Sequence, residues 1–407
     1  MLVLTVAASA LIGAAAVVLW LPTLSDAIAL MRILAGRRRA APAAGPLPRF
    51  LFLIPAHDEE LLIGPCLASI TAVDYPADHV DTVVVADNCT DATASLTRAT
   101  GARCLERTDT TRRGKPWAIA WALPQVLTPA IDAVIILDAD SLLDVNFLRA
   151  LAARRPLDDK IVQGYIDVSN PGETALTRMA RVWSAIRFRI INVLKDRVGN
   201  NVPLGDGVCI GRQVLATHGW TAFSLSETWE LYGSMTAAGV RCEGAPDAHL
   251  YAQEARSLKQ SASQRQRWTA GRLIVLGRYG PAILRNPGIS LHQRLDALAE
   301  MTALGPAAQL ALTVLLAGLA LLLPRPVGPW LALFVLGALA RTALYTVIAV
   351  VRGPDRVRTV MAFLYLPIYA VWRAGIQLTS LTKLGGSPWL RTARHEQKEP
   401  PAPGGGL

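Results

Sequence analysis

Residues 134–140 read VIILDAD, an apolar run that ends in two aspartates separated by one alanine. Four consecutive aliphatic residues are typical of a strand that is buried on both faces of a parallel sheet. Side chains alternate along an extended chain, so Asp138 and Asp140 are expected to face one way and Ala139 the other. The segment therefore predicts a buried strand with a paired acidic tip.

Two similar runs precede this segment, and each leads directly into polar residues. Residues 50–54 read FLFLI and continue as PAHDEE, and residues 83–85 read VVV and continue as ADN. A weaker run at 102–105 is a possible third strand in a set of four. Helical patterns separate the runs, at about 59–71, 91–99 and 116–127. This alternation predicts an α/β domain with a doubly wound parallel sheet.

Carboxylates follow three of the four predicted strands. Glu59 comes after the first run, Asp87 after the second, and Asp138 and Asp140 after the fourth. Ligands of open α/β sheets bind outside the carboxyl ends of the strands. A lone Asp-x-Asp is equally compatible with turn chemistry, but three coinciding acidic strand ends favour a metal site. Oxygen ligands select Mg²⁺ or Mn²⁺, which we expect at Asp138 and Asp140.

The composition indicates membrane segments at both ends of the chain. The 407 residues are 52% hydrophobic and only 18% charged, with a mean hydropathy of +0.33. Residues 1–21 carry no charged side chain, and Arg37, Arg38 and Arg39 follow them. By the positive-inside rule these arginines stay in the cytoplasm. A cleaved signal peptide is the competing interpretation, but the stretch is long for one and no basic residue precedes it.

The sequence predicts a multi-pass protein of the cell (inner or plasma) membrane whose α/β domain faces the cytoplasm. Its four predicted regions are a transmembrane helix at 1–34, the α/β domain at 46–285, a membrane region of two or three helices at 290–385, and a disordered tail at 393–407. Arg341 and Arg373 fall inside the C-terminal apolar segments, where a charge must face protein, water or a phosphate. Snorkelling, helix pairing and a functional role all remain open for them.

The net charge of +10 is concentrated beside the apolar segments and in one basic motif. Residues 112–115 read RRGK at the start of a helical pattern, which is either a solvated loop or an anion site suited to a diphosphate. The basic residues are not interleaved with a strip of aromatic residues, so we expect no nucleic-acid partner.

Two further clusters lie near the end of the α/β domain. Residues 226–231 read SETWEL, with Glu227 and Glu230 spaced for one helical face, although a carboxylate there is also good capping chemistry. Residues 264–268 read QRQRW and offer guanidinium groups for phosphate and an indole for stacking on a sugar. A basic helix on lipid headgroups is the alternative for this cluster.

In order and spacing, these motifs resemble those of the membrane-bound family 2 glycosyltransferases, which include relatives of the cellulose, chitin and hyaluronan synthases. The matching motifs are PAHDE at 55–59, Asp87, GK at 114–115, DAD at 138–140, GDG at 205–207, SETWEL at 226–231 and QRQRW at 264–268. The resemblance covers about residues 48–280. It implies a GT-A fold, the Rossmann-like α/β fold of nucleotide-diphospho-sugar transferases, flanked here by transmembrane α-helices.

The resemblance also implies roles for individual residues. Donor binding falls to Pro55, Ala56, His57, Glu59, Asp87, Lys115 and Asp138; metal binding falls to Asp140 with Asp138; the acceptor and pyrophosphate side falls to Gly205, Asp206, Gly207, Gln264, Arg267 and Trp268. One position departs from the pattern. Relatives usually carry Glu-Asp where this chain has Glu227 and Thr228, and the missing aspartate is the family's general base. Glu227 is the first substitute by position, and Glu230 is the second.

The implied activity is an inverting hexosyl- or N-acetylhexosaminyltransferase. It would move a sugar from a nucleoside-diphosphate sugar, usually a UDP-sugar, to a growing polysaccharide or a lipid-linked acceptor, in contact with membrane lipid. Transfer of a single sugar to a lipid is an alternative, and a catalytically inactive nucleotide-sugar-binding homologue is another, because of Thr228. The sequence names no protein partner.

Overall fold

The computed structural model describes residues 2–36, 45–224 and 226–381. Within these residues, eight strands form one mixed sheet. The strands are β1 (Phe50–Ala56), β2 (Val80–Asp87), β3 (Arg103–Arg107), β4 (Ala133–Ile136), β5 (Ser141–Leu143), β6 (Lys160–Val168), β7 (Val208–Gly211) and β8 (Arg241–Ala252). Their order across the sheet is β3-β2-β1-β4-β7-β6-β8-β5.

The first four strands form the predicted parallel half of the sheet. β1 pairs in parallel with both β2 and β4, and β2 pairs in parallel with β3. The carboxyl ends of β1, β2 and β4 therefore lie side by side at one edge, as the acidic strand ends predicted. β7 pairs with β4 in the antiparallel direction, so the eight-stranded sheet as a whole is mixed.

Hydrophobic residues cover both faces of this half, which explains the uninterrupted apolar runs. Leu51 and Leu53 belong to the core on one face, and Phe50, Phe52 and Ile54 belong to the core on the other. All five side chains are at most 2% exposed. Burial of a side chain of this size contributes about 1.5–3 kcal/mol to folding, so packing on both faces stabilises these strands.

Short helices connect the strands, and one of them begins with a lysine that lies at the strand ends. They are α2 (Ile63–Thr71), α3 (Thr93–Ala99), α4 (Lys115–Val126), α5 (Phe147–Ala152), α6 (Ala175–Ala185), α7 (Asn192–Arg197), α8 (Arg212–His218) and α9 (Glu227–Ala237). The predicted helix at 59–71 begins only at Ile63. The N–H of Glu59 donates to Thr93 Oγ1 at 2.8 Å and that of Glu60 donates to Asp91 at 3.0 Å, so this turn is tied to the neighbouring loop instead.

The remaining helices are long or apolar and lie at the two ends of the chain. They are α1 (Leu2–Leu34), α10 (Leu258–Arg285), α11 (Leu291–Thr302), α12 (Pro306–Leu321), α13 (Val327–Gly337), α14 (Ala340–Arg352), α15 (Arg356–Ala362) and α16 (Leu366–Leu381). In the described part of the chain, three helical segments are long and apolar enough to cross a membrane: Val3–Leu34, Val327–Arg352 and Arg356–Ser380. The pair α11 and α12, bent by 84°, is a fourth candidate.

The N-terminal helix packs against the C-terminal helices. Asp26 of α1 pairs with Arg341 Nε of α14 at 2.5 Å and accepts a hydrogen bond from the Tyr345 hydroxyl at 2.9 Å. Trp20 stacks on Phe334 with 5.7 Å between ring centroids. Helix pairing therefore accounts for Arg341. Arg37, Arg38 and Arg39 and the predicted tail at 393–407 lie outside the described residues.

Candidate active site

A cavity of about 460 Å³ lies at the carboxyl edge of the sheet and extends to the apolar helices. From the α/β domain it is lined by Lys115, Asp138, Asp140, Gly205, Asp206, Glu227, Thr228, Gln264 and Trp268. On the other side it is lined by residues of α1, α12, α14 and α16, among them Leu19, Ala307, Thr346 and Tyr369. One space thus joins half of the predicted site residues to the apolar helices.

Lys115 stands between the strand ends and α9. Gly114 precedes it with φ +101°, a backbone conformation that side-chain-bearing residues avoid, and this turn starts α4 at Lys115. The Lys115 Nζ atom lies 2.7 Å from Asp138 Oδ1 and 3.1 Å from Glu227 Oε1. Burial alone would lower the pKa of Lys115, but Asp138, Glu227 and Asp206 together raise it above its usual value. The lysine therefore carries a positive charge in the cavity.

The three aspartates of the cavity have different environments. Asp138 and Asp140 both line it, while Ala139 is buried in the core, as the alternation along residues 138–140 predicted. β4 itself ends at Ile136, so the aspartates belong to the turn after it. Asp206 accepts hydrogen bonds from the Asp138 N–H at 2.7 Å and the Ser141 hydroxyl at 2.5 Å. Burial and the charge of Asp138 raise the pKa of Asp206 to about 7.

The carboxylate oxygens of Asp138 and Asp140 are ligands that suit a hard divalent cation. Asp138 and Asp140 present carboxylate oxygens to the same cavity, beside space that a substrate phosphate can fill. Among the described residues, the group of three or more possible ligands whose atoms lie close enough to share an ion is a separate one, Asp58, Cys89 and Asp91. Asp58 accepts the N–H of Thr90 at 2.7 Å there, a hydrogen bond that joins the loops after β1 and β2, and none of the three lines the cavity.

The donor-binding residues predicted at the ends of β1 and β2 lie together but beside the cavity. Asp87 forms a buried ion pair with Arg107, with 2.5 Å between Oδ1 and Nη1, and accepts the Gly114 N–H at 3.3 Å. The ring of His57 hydrogen-bonds to the Asp87 carbonyl at 2.7 Å. Arg107 belongs to none of the sequence motifs. Only its buried ion pair with Asp87 in the structure shows that it positions this aspartate. Pro55, Ala56, His57, Glu59 and Asp87 are not among the described residues that line the cavity.

A close approach between α10 and the start of α9 brings Glu227 and Trp268 to one space. A Cβ atom at Gly271 would overlap the side chain of Ser226, so only glycine permits this approach. The Ser226 hydroxyl donates to the Arg267 carbonyl at 3.0 Å. Trp268 is 40% exposed within the cavity, with the Arg265 guanidinium 4.9 Å from its ring centroid.

The family model described as "Glycosyltransferase like family 2" matches residues 48–271, more than half of the chain. The chain belongs to this family. It is 26% identical over 247 residues to the probable glycosyltransferase YdaM of Bacillus subtilis, covering 56% of each chain. It is 22% identical over 263 residues to glucomannan 4-beta-mannosyltransferase 7 of Arabidopsis thaliana, covering 61% of this chain and 47% of the relative. The chain thus spans about half the length of these two relatives.

A solved structure identifies the fold of this family 2 protein as GT-A. The mannosyltransferase PcManGT from Pyrobaculum calidifontis, solved in complex with GDP-Man and Mn²⁺, superposes with a TM-score of 0.58 at 20% sequence identity. The match covers 93% of this chain and 98% of that one. The similarity therefore extends over the flanking helices as well as the sheet, in agreement with the predicted GT-A domain flanked by apolar helices.

Besides the residues at the ends of β1 and β2, three further predicted site residues of the family 2 domain do not line the cavity. Glu230 is buried in a separate ion pair, 2.6 Å from Arg278 Nη1, and accepts the Ser224 N–H at 2.6 Å. A helix places residues three apart on neighbouring but not identical directions, so only Glu227 of the pair reaches the cavity. Arg267 and Gly207 are also not among the described residues that line it. Arg265, which the motif places two residues earlier, lines it instead.

Proposed function

We propose that this protein is an inverting glycosyltransferase that moves a sugar from a nucleoside-diphosphate sugar to a polysaccharide or lipid-linked acceptor at the membrane surface. The observation that supports the proposal best is the cavity itself. It joins the carboxylates and Lys115 to Trp268 and to the apolar helices, so a polar donor and a membrane-held acceptor can meet there. We place the α/β domain in the cytoplasm, with the helices crossing the cell membrane, as the positive-inside rule predicts.

The donor side of the proposal rests on the loops after β1, β2 and β4. Asp87, held by Arg107, and the turn at residues 55–59 lie at the ends of β2 and β1, where the proposal places the nucleoside. UDP-sugars are the usual donors of the resembling families, and the structural neighbour holds GDP-Man. We therefore propose a UDP-hexose or UDP-N-acetylhexosamine as the donor, with a GDP-hexose as the alternative.

Asp138 and Asp140 would hold Mg²⁺ or Mn²⁺, as the neighbour's bound Mn²⁺ supports. When bound, the ion supplies positive charge to the departing diphosphate. Lys115 supplies a positive charge from the protein itself beside the proposed metal site, with its Nζ atom 2.7 Å from Asp138. The protein thus offsets the negative charge that develops as the nucleoside diphosphate leaves.

Glu227 is the proposed general base. Its ion pair with Lys115 orients its carboxylate into the cavity that Trp268 also lines. The acceptor hydroxyl gives its proton to Glu227 while its oxygen bonds to the anomeric carbon, and the bond from that carbon to the diphosphate oxygen breaks with its electrons. Attack from the face opposite the leaving group inverts the anomeric centre, so an α-linked donor yields a β-linked product.

A donor panel tests the proposal. Membranes that contain the full chain are incubated with UDP- and GDP-sugars and Mn²⁺ or Mg²⁺, and released nucleoside diphosphate is measured with the Asp140→Ala and Glu227→Gln variants as controls. We expect release with at least one donor, loss of release on addition of EDTA, and a loss of at least about 100-fold in each variant. Unchanged turnover in Glu227→Gln would remove it as the base.

Product analysis separates the alternatives. A ladder of products from a labelled donor indicates a growing polysaccharide, and a single lipid-soluble product indicates transfer of one sugar to a lipid. Protein that binds UDP or GDP but shows neither release nor transfer over the whole panel would identify an inactive nucleotide-sugar-binding homologue, which the Thr228 substitution permits.

A further inference from the structure

The membrane-side half of the cavity is rich in charged groups, and most of them are paired. The pairs are Arg187 with Glu300 at 2.6 Å, Lys195 with Asp296 at 2.7 Å, Arg265 with Glu254 at 2.9 Å, and Arg341 with Asp26 at 2.5 Å. Lys115 is shared by Asp138 and Glu227. A charge inside a membrane protein is costly unless it is compensated, so these pairs account for most of the cavity's cations.

Arg272 and Arg373 are different. Both line the cavity, yet neither forms an ion pair with any carboxylate in the described residues. Arg373 Nη2 donates to Thr269 Oγ1 at 3.4 Å, and its Nη1 atom is buried without a hydrogen-bond partner among the described groups. Nε of Arg272 is buried in the same way. Burial lowers the pKa of Arg272 to about 10 despite Glu300, and the charges of Arg187 and Arg373 add to this effect.

Packing holds the Arg272 guanidinium in place. It lies 5.6 Å from the centroid of the Trp229 ring, and Arg187 lies 5.9 Å from the same ring. Such cation–π contacts orient a guanidinium without neutralising its charge. Arg272 is therefore a fixed donor with unused N–H groups, and a guanidinium of this kind matches the oxygens of a phosphate.

The position of Arg272 relates it to the acceptor rather than to the donor. Gln264, Trp268 and Arg272 follow one another at four-residue spacing on α10, and all three line the cavity. Four residues of helix rise about 6 Å, roughly the length of one sugar ring, so Arg272 lies one such step beyond Trp268. The cavity wall around Arg373 continues with Phe363, Leu366 and Tyr369, which are apolar or aromatic.

We propose that Arg272 and Arg373 bind the phosphate group of a lipid-phosphate acceptor, whose hydrocarbon chain lies against Phe363, Leu366 and Tyr369. This site adds a class of acceptor to the proposed function. It rests on that function for the conclusion that sugar is transferred to the bound lipid. The phosphate compensates the two unpaired guanidinium groups, and the sugar or hydroxyl that receives the new residue lies on the Trp268 side.

Binding measurements test the site without requiring turnover. The full chain in neutral phosphatidylcholine nanodiscs is titrated with a labelled polyprenyl monophosphate, with the polyprenol of the same length, and with UDP and GDP. We expect the polyprenyl monophosphate to bind about tenfold more tightly than the polyprenol. A hydrogen bond to a charged group contributes enough free energy to change the affinity by about this factor. Arg272→Gln and Arg373→Gln should each remove about tenfold of the affinity for the phosphate and leave that for the nucleotide unchanged.

Two further variants keep the result interpretable. Arg285→Gln removes an exposed arginine from the same helix, outside the cavity lining, and should bind the polyprenyl phosphate as the unmodified protein does. Arg272→Lys keeps the charge and should recover part of the affinity. Equal binding of phosphate and alcohol would overturn the proposal, and so would weakened UDP or GDP binding in Arg272→Gln, which would place the arginine at the donor. Arginine-dependent binding without any sugar transfer would support the site and contradict the proposed function.

Discussion

In the proposed reaction, Glu227 and Thr228 are the residues at which proton abstraction from the acceptor can be tested. Both line the cavity, and Glu227 contacts Lys115 at 3.1 Å. Because Thr228 occupies the position of the family's usual aspartate, Thr228→Asp should supply a second carboxylate to the same space. We predict that Glu227→Gln lowers kcat by about 10²–10⁴-fold and that the double variant with Thr228→Asp recovers at least about tenfold.

Nucleoside diphosphate release measures both variants, and the affinity for UDP or GDP serves as the control for folding and donor binding. A double variant that stays as slow as Glu227→Gln, with normal nucleotide affinity, would show that position 228 does not face the acceptor hydroxyl.

Glu230 is a structural residue in the fold rather than a partner of Glu227. Its side chain is 3% exposed and lies 2.6 Å from Arg278, whose own side chain is 64% exposed. Glu230→Gln removes the charge from these hydrogen bonds, and solvent screening at Arg278 limits the loss. We predict a decrease of about 1–2 kcal/mol in the free energy of unfolding, seen as a lower Tm, with kcat per folded molecule unchanged. A large loss of kcat at unchanged Tm would return Glu230 to the list of candidate bases.

At the scale of elements, the approach of α10 to the start of α9 brings Glu227 and Trp268 to one cavity, on what we propose is the acceptor side. Gly271 is buried against Ser226, whereas Gly277, on the same helix, has open space where a Cβ would lie. We predict that Gly271→Ala lowers the free energy of unfolding by about 1–3 kcal/mol and reduces kcat, because α10 must move away from Ser226 and Glu227.

Gly277→Ala is the matched control for this substitution. It should raise the free energy of unfolding by about 0.5–1 kcal/mol, because alanine is the better helix former and meets no neighbour. Thermal unfolding in detergent and nucleotide release measure both variants. Equal effects of the two substitutions would contradict a specific role for the contact between Gly271 and Ser226.

The elements of the parallel half were predictable because each is encoded locally. The runs at 50–54, 83–85 and 134–137 became β1, β2 and β4, and the paired aspartates point into one cavity. The late start of α2 at Ile63 was not predictable, since Glu59 and Glu60 are held by residues more than 30 positions away. Likewise, the pairing of β7 with β4, and of β6 with β7, depends on contacts between distant segments.

At the scale of the whole molecule, Asp26 and Arg341 join the N-terminal helix α1 to the C-terminal helix α14. Their side chains are 7% and 14% exposed and lie 2.5 Å apart. We predict a favourable coupling free energy of about 1–2 kcal/mol between them, because either charge alone is left buried. Thermal unfolding in detergent of Asp26→Asn, Arg341→Gln and the double variant measures this coupling. Additive effects of the two single substitutions would show that the two ends do not stabilise each other through this pair.

The sequence by itself determined that the protein has an α/β domain flanked by apolar helices. Strands buried on both faces, acidic strand ends and charge-free apolar stretches are each visible as patterns of adjacent residues. The sequence also determined the set of candidate side chains around Asp138, Asp140, Lys115 and Trp268. The tertiary structure alone decided which of them share a cavity: it separated Glu230 from Glu227, paired Arg341 with Asp26, and left Arg272 and Arg373 without a carboxylate among the described residues. Those outcomes depend on distances between segments far apart in the chain, and no local pattern of residues carries that information.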